Sequence, residues 1–168
     1  WFEQARCEGV AHQVFLSSFS ARSDSPSLYG RTKFAIERVF LEQGETVARP
    51  GLVAGPGGLF AKFARSLGRW HVAPLVDADS PTVAVVALGD FLDAMTAIVE
   101  RAERGPCNLF ASGLISGRAF ARAVWRGLGT RGVVLDIPPA LAIGALRVVG
   151  ARSALDSLRG QLANAVPV

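Results

Sequence analysis

The sequence predicts an α/β protein built on a largely parallel sheet, and three observations carry that expectation. Short apolar runs of strand length alternate with helical patterns of roughly 10–15 residues, the signature of βαβ units. Several helical patterns begin at a serine and end near a glycine, as capped helices do. Half of the 168 residues are apolar and 19% are charged, enough to bury one core. No internal repeat, low-complexity segment or linker interrupts the chain, so residues 1–168 read as a single domain.

The elements follow in order. WFEQARCEGV reads as the second half of an amphipathic helix, and the first residue is Trp1, not Met, so the chain is expected to begin inside a longer protein. HQVFLSS (12–18) is an apolar run ending in small polar residues and reads as a buried strand. Ser25 is expected to cap a helix with Pro26 at its first position, running to about Gly44. TVARPGLVAG (46–55) is strand-like up to Arg49 and is broken by Pro50 and Gly51. GPGG (55–58) is a loop, and residues 59–70 have helical spacing. HVAPLVD and TVAVVAL are strand candidates. Asp90 is expected to cap a helix over 91–105. CNLFA is a short strand, Ser116 caps a helix over 117–129, and VVLDI (133–137) is a strand. Two apolar helices close the chain and are expected to pack on the sheet.

The formal charge is +4, with sixteen arginines and two lysines spread from Arg6 to Arg159. No run of five like charges occurs, and a nucleic-acid partner is not expected. Cys7 and Cys107 stand a hundred residues apart without a C-x-x-C, and His12 and His71 have no ligand-spaced partner, so no metal is expected. Free thiols fit a reducing, cytoplasmic setting. No uncharged apolar stretch reaches membrane-spanning length; residues 137–151 come nearest, interrupted by Pro138, Pro139 and Arg147. No signal peptide is recognisable.

The candidate chemistry lies in SDSPSLYGRTKFAIERVF (23–40). Tyr29 is the only tyrosine, and Lys33 is four residues on, on the same helix face. A free tyrosine has its pKa near 10; a neighbouring ammonium favours the phenolate, so a tyrosine paired in this way can give or take a proton at a hydroxyl or carbonyl oxygen. A serine at the end of the preceding strand, Ser18 or Ser17, would hold that oxygen. Carboxyl ends of strands are where α/β sheets bind ligands. The spacing is equally compatible with a tyrosine at a helix start and a solvated lysine.

VFLSSFSARSDSPSLYGRTKFAIERVF followed by ARPGLVAGPGG resembles the short-chain dehydrogenase/reductase superfamily, in the extended or atypical branch that includes NAD-dependent epimerases and dehydratases. Four segments match in order: the serine-ended strand; Y-x-x-x-K with Glu37 after it; R-P-G-x-x-x-G-P from Arg49 to Pro56; and VALGDFLDAMTAIVE (86–100). The resemblance runs from Trp1 to about Leu146. It implies a partial Rossmann-like fold, the C-terminal half of an NAD- or NADP-dependent enzyme that transfers hydride at a carbinol or ketone carbon. Ser18 would polarise the substrate oxygen, Tyr29 would be the general acid/base, and Lys33 would tune it and hold the nicotinamide ribose. Pro50, Gly51 and Leu52 would line the nicotinamide end. A nucleotide-sugar substrate would meet Lys62, Arg65 and Arg69, which otherwise form a solvated basic face. Dimers in the family form through a helix pair that includes the Tyr/Lys helix.

Several departures qualify this. Tyr29 follows Ser18 by only eleven positions, the V-Y-G after the serine is missing, and Ala87 stands where the family often has His. No Gly-rich strand-to-helix turn precedes the serine strand, so the dinucleotide cradle would belong to a preceding half and these residues alone are expected to be inactive. A non-catalytic dinucleotide-binding subunit is the alternative reading.

Overall fold

The computed structural model describes residues 1–141 except 26, 112 and 139. In chain order the elements are α1 (Phe2–Cys7), β1 (Val14–Leu16), α2 (Leu28–Glu42), β2 (Thr46–Pro50), β3 (Leu52–Ala54), α3 (Gly58–Trp70), β4 (Val72–Val76), β5 (Pro81–Val83), β6 (Val85–Ala87), α4 (Leu88–Arg101), β7 (Gly105–Leu109), β8 (Ile115–Ser116), α5 (Gly117–Gly127) and β9 (Val133–Ile137). The α/β class is as expected. The closing helices fall almost wholly outside the described residues.

A three-stranded parallel sheet has the order β1-β2-β7. Val14 faces Thr46 and Leu16 faces Ala48, while Pro50 faces Leu109 across the other edge. Two further parallel pairs, β3-β6 and β4-β9, and one antiparallel pair, β5-β8, complete the strands. The chain changes sheets at Gly51. Its N–H bonds Leu109 O at 3.2 Å, and the next N–H, of Leu52, bonds Ala84 O at 2.7 Å. A Cβ at Gly51 would lie 2.5 Å from that Ala84 oxygen, so only glycine fits the crossing.

Several boundaries differ from expectation. The N-cap of α2 is Ser27, whose side chain accepts from Gly30 N–H; Ser25 stands two residues back, its hydroxyl 3.2 Å from that of Ser27. Three serines precede this helix, and local sequence does not say which reaches the free N–H groups. Asp90 does not cap α4. The helix begins directly after β6, with Ala87 at the N-cap, and Asp90 sits in its first turn, where its charge complements the helix dipole. TVAVVAL is two strands: Val83 pairs with Ile115 and Val85 with Leu52. An unbroken apolar run carries no mark of which partner each end will find. The Ser116 cap is as read, accepting from Ala119 N–H at 3.1 Å.

The main core gathers Leu67 of α3, Ala73 of β4, and Phe120, Ala121, Val124 and Trp125 of α5. Phe60, Phe63 and Val134 pack against it. The Trp125 indole N–H donates to Leu67 O at 2.9 Å, tying α5 to α3 through a buried bond. Around the first sheet, Val47 and Ala48 are fully buried, and Phe40 of α2 packs on Phe2 and Phe15. Among the described residues no helix is long and apolar enough to cross a membrane, and no three or more His, Cys, Asp or Glu side chains are grouped so as to hold a metal ion.

Candidate active site

The serine-ended strand and the Tyr/Lys helix meet as a βαβ unit requires. β1 and β2 are parallel neighbours, and α2, the crossover between them, packs on β2. Lys33 reaches back to the carboxyl end of β1, where its Nζ donates to Leu16 O at 2.8 Å. The ammonium also lies over the Phe15 ring, 4.7 Å from its centroid, and 5.8 Å from the centroid of Tyr29. Tyr29 itself is 58% exposed, and its hydroxyl makes no hydrogen bond among the described residues.

The segment between β1 and α2 folds tightly against the helix start. A Cβ at Gly30 would lie 2.5 Å from Ser20 O and closer still to the Ser25 hydroxyl, so the residue after Tyr29 has to be small for this loop to close. Ser18 Oγ is 2.9 Å from Ser20 Oγ. Ser17 is 5% exposed; its N–H donates to Ala48 O, while its hydroxyl has no partner among the described residues. Phe19 N–H donates to Pro50 O at 3.0 Å, which brings the serine end of β1 beside the Pro50–Gly51 crossing. Ser18, Lys33, Pro50 and Gly51 therefore lie together at the carboxyl ends of β1 and β2. No hydrogen bond joins Ser18 to Tyr29.

An ion pair fixes this assembly from beneath. Glu37, two turns along α2 from Tyr29, is 1% exposed and takes both arms of Arg49: Nε to Oε1 at 2.9 Å and Nη2 to Oε2 at 2.5 Å. The hydrogen bonds that Arg49 donates to Glu37 raise its pKa above its already high ordinary value, against a smaller opposing effect of burial. The helix carrying Tyr29 and Lys33 is thus bolted to the strand that leads into Pro50–Gly51. Both residues belong to quoted motifs, yet the sequence does not reveal the pairing. The signal was Glu37 at i+4 from Lys33, an acid placed on the helix face that turns inward.

Beyond the crossing, Leu52 and Val53 of β3 lead into a cleft of about 350 Å³. Its other described lining residues are Gly55–Gly58, Leu59, Phe60 and Leu88, without a charged side chain. Of the residues expected at the site, Leu52 lines this cleft. Lys62, Arg65 and Arg69 do not; they lie exposed on the outer face of α3. Leu59, Phe60 and Leu88 are lining residues that motif reading missed, because nothing in their local pattern separates a cleft wall from a core.

Comparison with protein-family models and with curated proteins finds no match. Solved structures do match. The NADPH-dependent quinone oxidoreductase of Escherichia coli, solved with NADPH, aligns with 99% of this chain at a TM-score of 0.70 and 17% identity, over 60% of its own length. A nucleoside-diphosphate-sugar epimerase from Staphylococcus aureus aligns with 97% at a TM-score of 0.67 and 16% identity, over 57% of its length. The UDP-glucose 4-epimerase of Thermus thermophilus, solved with NAD, aligns with 81% at a TM-score of 0.61 and 22% identity, over 54% of its length. These likenesses establish a Rossmann-like α/β fold. The chain spans little more than half the length of the structures it resembles.

Proposed function

We propose that this chain is the carboxyl-terminal portion of an NAD- or NADP-dependent oxidoreductase similar to the epimerase/dehydratase branch of the short-chain dehydrogenases. The observation that carries the reading is the junction of Lys33, Ser18 and the Pro50–Gly51 crossing at the strand ends, with Tyr29 one helical turn before Lys33. Three structural neighbours with bound NAD or NADPH, or acting on nucleotide sugars, support the class. Their greater length supports a preceding half that holds most of the dinucleotide. So does the outer edge of β1, which pairs with no strand among the described residues.

The residues present suit the nicotinamide end of such a cofactor. Lys33 offers a donor at the strand end, Gly51 keeps the backbone free of a side chain, and Leu52 begins an apolar wall. The bound nicotinamide would supply or accept the hydride. Tyr29 would give a proton to the substrate oxygen on reduction and take it on oxidation; Ser18 would hold that oxygen, exchanging its bond to Ser20 for one to substrate. Ser17 is the second choice for that role. Lys33 would orient the ribose and keep its positive charge beside the tyrosine.

One observation favours a second reading, a subunit that holds the dinucleotide without turnover: the Ser18 hydroxyl is tied to Ser20 and Tyr29 has no hydrogen-bond partner among the described residues. Tyr29→Phe in the full protein separates the two. If Tyr29 is the acid/base, turnover falls by about 10²–10⁴-fold while cofactor binding is kept. Turnover that survives the loss of the hydroxyl sinks the catalytic assignment. Cofactor binding with no turnover in the wild type favours the binding subunit.

A further inference from the structure

The carboxylates of this chain avoid two long stretches. None of the fourteen lies between residues 46 and 76 or between 104 and 135. Those stretches contain α3 and α5, which pack side by side through Phe63, Leu67, Phe120 and Trp125. On α3 the inner face is buried, and the outer face carries Lys62, Arg65 and Arg69 at helical spacing. None of these three forms an ion pair among the described residues. On α5 the outer face adds Arg122 and Arg126.

Cations alone would describe a solvated face. The apolar residues set among them do not. Leu59 is 72% exposed and Trp70 is 65% exposed, eleven residues apart on one flank of the same outer face, about 16 Å along the helix. Trp70 lies under Arg69, 5.3 Å from the guanidinium carbon. Leu128, also exposed, sits beside the last turn of α3, with a methyl 3.2 Å from where a Cβ on Gly68 would be. A basic stripe with an aliphatic anchor at one end and an indole at the other suits the headgroup layer of an anionic bilayer: phosphates meet the cations, and Leu and Trp enter the interface. Leu59 also lines the apolar cleft, so the face that carries the anchors opens onto that cleft.

We infer that the outer face of α3, extended by α5, docks this protein on an anionic membrane surface with the mouth of the apolar cleft turned towards the lipid. An apolar carbonyl substrate dissolved in the bilayer would then enter without crossing water. The docking itself is independent of the oxidoreductase reading.

The test is vesicle flotation with the full protein, comparing phosphatidylcholine vesicles with vesicles containing roughly 30% phosphatidylglycerol at about 0.1 M NaCl. Binding is expected to the anionic vesicles only and to be lost at about 0.5 M NaCl. Lys62→Glu/Arg65→Glu/Arg69→Glu is expected to weaken it by at least about tenfold. Leu59→Ser/Trp70→Ser should also weaken it, although the charge is unchanged. Brominated lipid should quench Trp70, read as the difference from Trp70→Phe. All five residues are exposed, and unchanged thermal unfolding confirms that the variants are folded. Failure to bind anionic vesicles overturns the proposal. So does binding that the Leu59/Trp70 variant leaves unchanged, or duplex DNA binding as tightly as the vesicles with no part for Leu59, which would assign the face to nucleic acid.

Discussion

Glu37 is the residue on which the geometry of the candidate site rests most heavily. A carboxylate this deeply buried is tolerated because Arg49 meets it with two hydrogen bonds. Glu37→Ala leaves the guanidinium without its partner and is expected to cost about 2–3 kcal/mol, at the low end for broken buried pairs because Arg49 keeps some access to water. Glu37→Gln retains an acceptor and should cost less; chemical denaturation of the two variants checks the order. At Gly51 the constraint is steric. Gly51→Ala would press a methyl into Ala84 O, and a loss of about 1–3 kcal/mol is expected, against none for an alanine at the open Gly89 inside α4. Cysteine reactivity gives a third check. Burial, and secondarily the charge of Glu103, hold the Cys107 thiol above its ordinary pKa, whereas Cys7 is exposed. Iodoacetamide at mildly alkaline pH should therefore alkylate Cys7 faster, with the gap closing in urea. The sign for stability follows: the neutral Cys107 thiol favours the folded state below its unfolded pKa, and that contribution is lost as pH rises through the folded one.

At the scale of elements, the helices are held by caps and by one cross-helix bond. Ser27 and Ser116 each satisfy a free N–H at a helix start, and Ser→Ala at either is expected to cost about 1 kcal/mol by thermal or urea unfolding. Trp125→Phe keeps most of the packed ring and removes one of two hydrogen bonds at the Leu67 carbonyl, which still accepts the His71 N–H, with an expected loss of about 1 kcal/mol. Elements with a local cause were legible: α3 from its spacing, α5 from Ser116, β9 from VVLDI. Those decided by pairing were not. The split of TVAVVAL between two sheets follows from Leu52 N–H bonding Ala84 O, a contact more than thirty residues away in sequence.

For the molecule as a whole, the same division holds for charge. In sequence the arginines look evenly scattered; in the fold, α3 and α5 lie together and gather Lys62, Arg65, Arg69, Arg122 and Arg126, while Arg118 of α5 is paired with Asp79. If the nicotinamide end of a dinucleotide does rest against Lys33 and Pro50–Leu52, NADH or NADPH at about a hundredfold over its Kd should stabilise the full protein by about 2.7 kcal/mol, and Tyr29→Phe should leave that shift in place. A thermal-shift titration measures it, and no shift with either dinucleotide removes the cofactor reading altogether.

What the sequence determined by itself was the α/β class, most helix positions and the presence of Ser18, Tyr29 and Lys33 in the order that the resemblance implies. These rest on periodicity, capping and motif spacing, which act over a few residues. Only the tertiary structure decided that Lys33 ends on Leu16 O, that Glu37 locks onto Arg49, that Leu52 opens an apolar cleft, and that Lys62, Arg65 and Arg69 stand exposed outside its lining. Each depends on which distant backbone a strand pairs with, and hydrogen-bonding groups are alike along the chain until packing selects among them.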